Sequence, residues 1–196
     1  MNKLVEIIKE SNIDNFWVPG GTDKNSEHSY CDYYEEIFTP YVDKECNILE
    51  IGSWQGGFTY VMSKFLPKAK FTTIDIQDKF YEHHRNSIGS DRIINHKLVD
   101  AYDFNTLNLV KDCQFDFILE DGTHLLHDNL FVFYNYFKLI KPNGSLVIED
   151  MDEPHLIKLL KHIDQTKYIC RVLDVRHVKQ RGDDILIEIK HKNLDY

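Results

Sequence analysis

The sequence predicts an α/β fold with a doubly wound, seven-stranded, mostly parallel sheet. Strand-like apolar runs alternate with helix-like segments from residue 47 to residue 164. This alternation is typical of parallel strands joined by crossover helices. Two further strand-like runs, 168–178 and 184–191, are joined by Arg181-Gly182-Asp183. They predict an antiparallel C-terminal hairpin at one edge of the sheet.

The individual elements follow from periodicity and turn residues. An amphipathic run predicts a short helix over 2–11, Pro19-Gly20-Gly21 marks an irregular segment over 12–27, and aromatic residues at helical spacing predict a helix over 30–40. The remaining strands are predicted at 47–51, 70–75, 93–99, 115–120 and 145–149, and the remaining helices at 57–66, 78–88, 103–111, 126–140 and 153–164. We therefore expect an N-terminal helical or lid segment, 1–40, and a sheet domain, 41–196, within a single domain overall.

Composition restricts the class of function. A chain of 196 residues with 42% hydrophobic content can bury one sizeable core. The formal net charge of −9, without a local basic patch, argues against a nucleic-acid partner because phosphates would be repelled. The four cysteines lack metal-type spacing, the N-terminus lacks a signal-peptide pattern, and no run approaches the roughly 18 apolar residues of a membrane span. We expect a cytoplasmic protein without a membrane partner.

A glycine-rich turn after the first strand predicts a cofactor site. The strand over 47–51 leads through Gly52, Gly56 and Gly57 into a helix N-terminus. Glycine lets the backbone approach a ligand closely, and the first N–H groups of a helix can bind a carboxylate or phosphate. Glu50 lies at the end of this strand. Asp75 ends the next strand, where an acid can accept hydrogen bonds from a ribose diol. A nucleotide-like cofactor is therefore expected.

Acidic side chains follow two later strands. Strand 115–120 leads into Glu120-Asp121-Gly122-Thr123-His124, and strand 145–149 ends at Glu149-Asp150. Ligands lie beyond the carboxyl ends of parallel strands, so these side chains should gather at one rim. Asp121, Glu149 and Asp150 are hard oxygen ligands suited to Mg²⁺ or a similar divalent ion. The alternative is that these acids cap helices or stabilise turns.

His124 is a candidate general base. As a neutral imidazole beside the ion, it could take the proton of an acceptor hydroxyl whose acidity the ion has raised. The chain has 10 histidines, and position alone distinguishes His124 from the others, most of which are interpreted as surface or packing residues. Asp121 is the first alternative for this role.

Seven short motifs occur in a recognisable order. They are Gly21-Thr-Asp-Lys24, His28-x-Tyr30-x-x-x-Tyr34, Leu49-Glu-Ile-Gly52-x-x-x-Gly56-Gly57, Asp75-Ile76, Asp121-Gly-Thr-His124, Lys141-Pro-Asn-Gly144 and Ile148-Glu-Asp150. In this order the chain resembles the metal-dependent sugar O-methyltransferases, which include the macrolide-sugar enzymes of the mycinamicin and tylosin pathways. These are class I S-adenosylmethionine-dependent methyltransferases. The resemblance spans about residues 20–150.

The resemblance implies a Rossmann-like fold, S-adenosylmethionine as methyl donor, and Mg²⁺ held by Asp121, Glu149 and Asp150. It implies His124 as general base. It further implies that Asp100 holds the adenine amino group. The implied cofactor-binding set is Thr22, Asp23, Lys24, Tyr30, Glu50, Gly52, Gly56, Gly57, Asp75, Ile76 and Asp100.

The expected function is metal-assisted O-methylation of a hydroxyl of a sugar, nucleotide sugar or glycoside. The chain is shorter than the macrolide enzymes. Its acceptor site is therefore expected to come from residues 12–35, loops 122–128 and 150–155, or a second subunit of a homo-oligomer. One alternative is a catechol-type O-methyltransferase acting on an aromatic diol in a pocket lined by Phe16, Trp17 and the tyrosines of 30–34. Another is a non-catalytic cofactor-binding subunit.

Overall fold

One seven-stranded sheet organises residues 2–192, the part of the chain that the computed structural model describes. Residue 1 and residues 193–196, at the ends of the two predicted segments, lie outside the described residues. The strands are β1 (Asn47–Ile51), β2 (Lys70–Asp75), β3 (Ile93–Lys97), β4 (Phe115–Glu120), β5 (Ile140–Ile148), β6 (Tyr168–Asp174) and β7 (Ile185–His191). The helices are α1 (Lys3–Glu10), α2 (Cys31–Phe38), α3 (Gly57–Phe65), α4 (Glu82–Ile88), α5 (Phe104–Val110), α6 (Leu126–Asn135), α7 (Glu153–Leu160) and α8 (Arg176–Lys179).

The strand order is β3-β2-β1-β4-β5-β7-β6, which confirms the predicted doubly wound sheet. The first five strands pair in parallel, whereas β7 pairs antiparallel with both β5 and β6. The chain reverses its direction of travel across the sheet between β1 and β4. In open α/β sheets this switch point leaves a crevice beyond the strand ends, where ligands bind.

Among the strands, two predicted boundaries differ from the structure by more than two residues. β5 begins at Ile140 rather than at residue 145, and its pairing with β4 shifts register between Phe115 and Phe117. This irregularity lets the residues around Pro142 extend the strand outside the regular ladder. The predicted strand 168–178 ends at Asp174, because the chain there turns into the short helix α8 and then through Gln180 at φ 58°.

Hydrophobic cores lie on both faces of the sheet. On one face, α1 packs against α2 and α3, and the aromatic ring of Tyr34 packs against those of Phe38 and Phe58. Phe38 is fully buried and its ring lies 4.5 Å from that of Phe117 in β4. Burial of one such side chain is worth about 1.5–3 kcal/mol. Helix α2 of the N-terminal segment is thus fixed to the sheet, next to the ends of β4 and β5.

Among residues 2–192, the helices are all too short or too polar to cross a bilayer.

Candidate functional site

A cavity of about 770 Å³ opens at the carboxyl ends of the parallel strands. This volume is typical of small-molecule sites. Its walls come from the turns after β1, β2, β3, β4 and β5, from the N-terminal segment and from the β6–β7 loop. Predicted site residues among its lining are Asp23, Gly52, Asp75, Ile76, Asp100, Asp121, His124 and Asp150.

Asp75 is held at the end of β2 by backbone donors. Its Oδ2 accepts a hydrogen bond from the N–H of Trp54 at 2.6 Å, and its Oδ1 accepts one from the N–H of Gln77 at 2.7 Å. A carboxylate has about four acceptor sites, so lone pairs remain for a ligand. Asp75 can therefore accept hydrogen bonds from a diol in the cavity.

The three glycines of the turn have different surroundings. Gly52 lines the cavity at φ +82°, and a Cβ there would overlap the carbonyl oxygen of Asp121. Gly56 and Gly57 lie outside the lining. A Cβ would collide with the ring of Phe80 at the first and with the carbonyl oxygen of Gly21 at the second. Gly52 is therefore placed to face a ligand, whereas the other two allow close packing around it.

Three residues of the cavity wall adopt left-handed backbone conformations. Trp54, His124 and Asp150 have φ values of 46°, 58° and 54°. Such conformations cost free energy in non-glycine residues and cluster at functional sites. The left-handed turn at Asp150 redirects the chain immediately after β5. Such a turn is needed if the two adjacent acids, Glu149 and Asp150, are both to serve one site.

Lys24 lies behind the cavity wall rather than in it. Its side chain is 2% exposed, and its Nζ lies 2.7 Å from Asp121 Oδ2 and 2.8 Å from Glu149 Oε2. A third carboxylate, Asp23, lies 3.4 Å away. Burial disfavours the ammonium, but the attraction of Asp121, Asp23 and Glu149 outweighs it and raises the pKa of Lys24 well above its ordinary value. Lys24 is therefore a buried cation among carboxylates.

Tyrosines of the N-terminal segment hold the two acids after β5. The hydroxyl of Tyr34 donates to Glu149 Oε1, and that of Tyr30 donates to Asp150 Oδ1 at 2.8 Å. Burial raises the pKa of Glu149 and raises that of Asp121 well above its ordinary value, against the attraction of Lys24. Nearby carboxylates add to both shifts because like charges disfavour ionisation. The site thus favours a bound positive charge.

Two groups of potential metal ligands share Asp150. One atom each of Asp121, His124 and Asp150 lie within 4.8 Å of one another, and so do atoms of His28, Asp150 and Asp184. Carboxylate oxygens and a neutral imidazole are suitable donors for a divalent ion. Burial lowers the pKa of His124, which favours the neutral imidazole. Glu149, which was predicted as a ligand, belongs to neither group because its oxygens face Lys24 and Tyr34.

Sequence reasoning missed the pair formed by His28 and Asp184. Both are buried, with His28 Nδ1 2.6 Å from Asp184 Oδ1 and 3.3 Å from Asp150 Oδ1. Arg181 Nε lies 3.3 Å from the same oxygen of Asp184. The residues of this cluster lie far apart in the chain, and the hairpin loop was interpreted only as a turn. The position of His28 in the motif before Tyr30 was the available signal.

The remaining predicted cofactor residues lie behind the cavity wall. This set comprises Thr22, Lys24, Tyr30, Glu50, Gly56 and Gly57. Glu50 faces helix α3, where its Oε2 accepts a hydrogen bond from the Thr59 hydroxyl. Burial raises the pKa of Glu50 to about 8. Glu50 therefore contributes to the support of the turn rather than to the lining.

Comparison with known proteins gives consistent matches. The family described as "Methyltransferase domain" matches residues 42–191. The chain is 26% identical over 140 residues to 8-demethyl-8-alpha-L-rhamnosyl tetracenomycin-C 2'-O-methyltransferase of Streptomyces olivaceus, covering 67% of this chain and 35% of that protein. It is 28% identical over 133 residues to mycinamicin VI 2''-O-methyltransferase of Micromonospora griseorubida, covering 63% and 32%. The chain spans about a third of the length of these curated relatives.

Among solved structures, the chain is similar to the MycE methyltransferase from the mycinamycin biosynthetic pathway in complex with Mg and SAH. The TM-score is 0.72 at 19% identity, over 98% of this chain and 55% of that chain. At this identity the likeness shows the fold. The family match contains Gly52, Asp75, Asp121 and Asp150, which line the cavity. The chain therefore belongs to the methyltransferase-domain family, within the class I S-adenosylmethionine-dependent methyltransferases.

Proposed function

We propose that this methyltransferase transfers the methyl group to a hydroxyl of a sugar or glycoside with the help of a divalent cation. The observation that supports this most directly is the group formed by Asp121, His124 and Asp150, which lies in the same cavity as Asp75. These three residues offer candidate metal ligands and a candidate base near Asp75, the proposed ribose anchor. Relatives named as O-methyltransferases, one of them acting on a rhamnosyl compound, favour a sugar hydroxyl as acceptor.

Asp75 and Asp100 are the proposed anchors of S-adenosylmethionine, which supplies an electrophilic methyl group on sulfur. Asp75 binds the ribose diol through its remaining lone pairs. Asp100, whose Oδ1 already accepts from the N–H of Tyr102 at 2.9 Å, binds the adenine amino group. Ile76 is 63% exposed in the cavity and offers an apolar surface to the adenine ring. Asp23 and Gly52 border the methionine end.

Asp121, Glu149 and Asp150 are the proposed ligands of the cation. Their fit rests on donor chemistry, since Asp121 and Glu149 already converge on one positive charge, the Lys24 ammonium. A bound divalent cation would acidify the acceptor hydroxyl and orient it. His124, held neutral by burial, takes the proton released by that hydroxyl. In this way the cavity residues position an oxygen nucleophile for in-line methyl transfer.

The aromatic residues favour a sugar over a catechol as acceptor. Phe16 lines the cavity, where its ring stacks on Trp54 with centroids 5.4 Å apart. Trp17, however, is 81% exposed, and the buried Tyr30 and Tyr34 donate their hydroxyls to the acids behind the wall. Of the residues predicted to form an aromatic pocket, Phe16 alone therefore lines the cavity.

A methyl-transfer screen tests the proposal. The protein is incubated with methyl-labelled S-adenosylmethionine and, in parallel, with free sugars, nucleotide sugars, neutral glycosides and catechols, each with Mg²⁺, with Mn²⁺ or with excess chelator. We expect labelled product from a sugar-containing acceptor and loss of that product in chelator. Transfer to catechols alone, or full activity in chelator, would contradict the acceptor or the metal assignment respectively. Cofactor binding with no transfer to any acceptor would support the non-catalytic alternative.

A further inference from the structure

Lys24 is unusual among the cations of this protein. Of the lysines and arginines that the structure describes, Lys24 alone is buried. It belongs to the N-terminal segment, yet its Nζ reaches the acids that follow β4 and β5. Lys24 was predicted to bind the cofactor. Its ammonium instead lies behind the cavity, between Asp121 and Glu149.

The surroundings of Lys24 explain why a cation is needed there. Carboxylates at Asp121 and Glu149 contact it directly, and Asp23 lies 3.4 Å away. Asp150 adds a further negative charge nearby. The remaining hydrogen bonds to the acids after β5 come from neutral tyrosine hydroxyls. Buried carboxylates without a counter-charge are strongly destabilising, so one ammonium compensates several acids.

We propose that Lys24 is an internal cation of the carboxylate site, which stabilises the site without a metal and sets how tightly it binds a divalent ion. The proposal rests on the metal-assisted function proposed above. Asp121 is shared between the ammonium and the group formed with His124 and Asp150. An ion bound to that group therefore lies near a fixed positive charge. Repulsion between the two charges weakens ion binding, and the low dielectric of a buried site strengthens that repulsion.

Lys24→Gln tests this proposal without an acceptor or any measure of activity. Glutamine removes the charge and keeps an amide that can donate to one carboxylate. We expect the variant to bind Mn²⁺ at least about tenfold more tightly than the wild type in calorimetry, because the repelling charge is gone. In metal-free buffer its melting temperature should fall, and saturating Mn²⁺ should restore it. Lys24→Met, which also lacks the hydrogen bond, should show both effects more strongly.

Lys141→Met provides a matched control. Lys141 Nζ pairs with Asp116 Oδ2 at 2.7 Å, near the amino end of β4 and thus at the opposite end of that strand from Asp121. The substitution changes the net charge by the same amount. Its Mn²⁺ affinity should match that of the wild type within about threefold, since Asp116 and Asp121 are separated by roughly 16 Å of strand, which exceeds the Debye length of about 8–10 Å at physiological salt.

The outcomes separate this proposal from the proposed function. If the wild type binds Mn²⁺ and neither Lys24 variant binds it more tightly, the role of Lys24 is wrong while the metal-assisted function stands. If only the variants bind Mn²⁺, the role of Lys24 is supported and the wild type does not use the metal. Absence of binding in all proteins contradicts both proposals. Failure of both variants to fold, even with Mn²⁺, overturns the role of Lys24 because an ion could not replace its charge.

Discussion

The two halves of the cavity are built in different ways. The proposed cofactor half comprises Gly52, Asp75, Ile76 and Asp100, which lie at or after the ends of β1, β2 and β3. Its two acids accept hydrogen bonds from nearby backbone N–H groups. The proposed reaction half comprises the lining residues His28, Asp121, His124 and Asp150 together with Lys24, Glu149 and Asp184 behind them, and these residues come from four separate parts of the chain. Its side chains are held mainly by one another.

This difference has consequences for mutation. A carboxylate fixed by its own turn can be removed with little effect on distant groups, so the loss should be confined to ligand binding. In the reaction half, removal of one charge leaves buried partners uncompensated. Substitutions of residues that share such a network are not additive. We therefore expect the cofactor half to respond locally and the reaction half to respond as a unit.

The strongest test of this contrast is Asp150→Asn. Asp150 belongs to both groups of potential metal ligands, and it also contacts His28 and Tyr30. Loss of the cation would remove both the acidification and the orientation of the acceptor hydroxyl, so turnover should fall by about 10⁴-fold or more. The affinity for S-adenosylhomocysteine, measured by calorimetry, should stay within about threefold of the wild type. An equal fall in both quantities would show that the two halves are not independent.

His124→Ala should have the next largest effect. Removal of a positioned general base reduces turnover by on the order of 10²–10⁴-fold. Cofactor and Mn²⁺ binding should be retained. Because burial lowers the pKa of His124, the wild-type rate should begin to fall only below the ordinary histidine pKa. A variant that loses melting temperature rather than turnover would indicate a packing role, and Asp121 would become the candidate base.

The fold was predictable because its signals are local. Apolar runs bounded by glycine or polar turns define each strand, and all seven predicted strands are found in the sheet. The acids of the proposed cofactor half were predictable for the same reason, since Asp75 ends a buried strand and lines the cavity. The register shift that lengthens β5 was not predictable, because it depends on pairing with β4.

The reaction half could be predicted only in part. Asp121, His124 and Asp150 follow strands, and the structure brings them together in the lining. The position of Lys24 behind the wall depends on how the N-terminal segment crosses the sheet, which no local pattern specifies. The contact between His28 and Asp184 joins residues 156 positions apart. Such long-range contacts follow from the whole fold, so neither residue's surroundings could be derived from its neighbours in sequence.

Asp75→Ala probes the cofactor half and should have an intermediate effect. Loss of a charged hydrogen-bond partner costs about 1–3 kcal/mol, so S-adenosylhomocysteine should bind roughly 10- to 100-fold more weakly. Mn²⁺ affinity should not change, since Asp75 belongs to neither ligand group. Asp78→Ala is a matched control, because Asp78 is exposed, pairs with Lys97 and lies outside the lining. Unchanged cofactor affinity in Asp75→Ala would contradict the ribose assignment.

Glu50→Gln should have the smallest effect on function and sharpens the boundary between lining and support. Glu50 was predicted to bind the cofactor, yet it faces Thr59 behind the wall, so the affinity for S-adenosylhomocysteine should remain within about threefold. Burial raises its pKa to about 8, from an ordinary value of 4.5. The folded protein therefore holds a proton on Glu50 over a pH range in which the unfolded chain has released it.

The consequence is a pH dependence of stability that the variant should lack. The contribution of Glu50 is fully present below the unfolded pKa of 4.5 and is lost as the pH rises through the folded pKa of about 8. Over that interval the free energy of unfolding should decrease by up to about 1.4 kcal/mol per pH unit in the wild type relative to Glu50→Gln. Urea unfolding of both proteins between about pH 5 and 8 measures the difference, because other titrating groups are common to both. Parallel plots of the free energy of unfolding against pH would mean that Glu50 is ionised in the folded protein. The glycine turn would then be supported by a charged carboxylate.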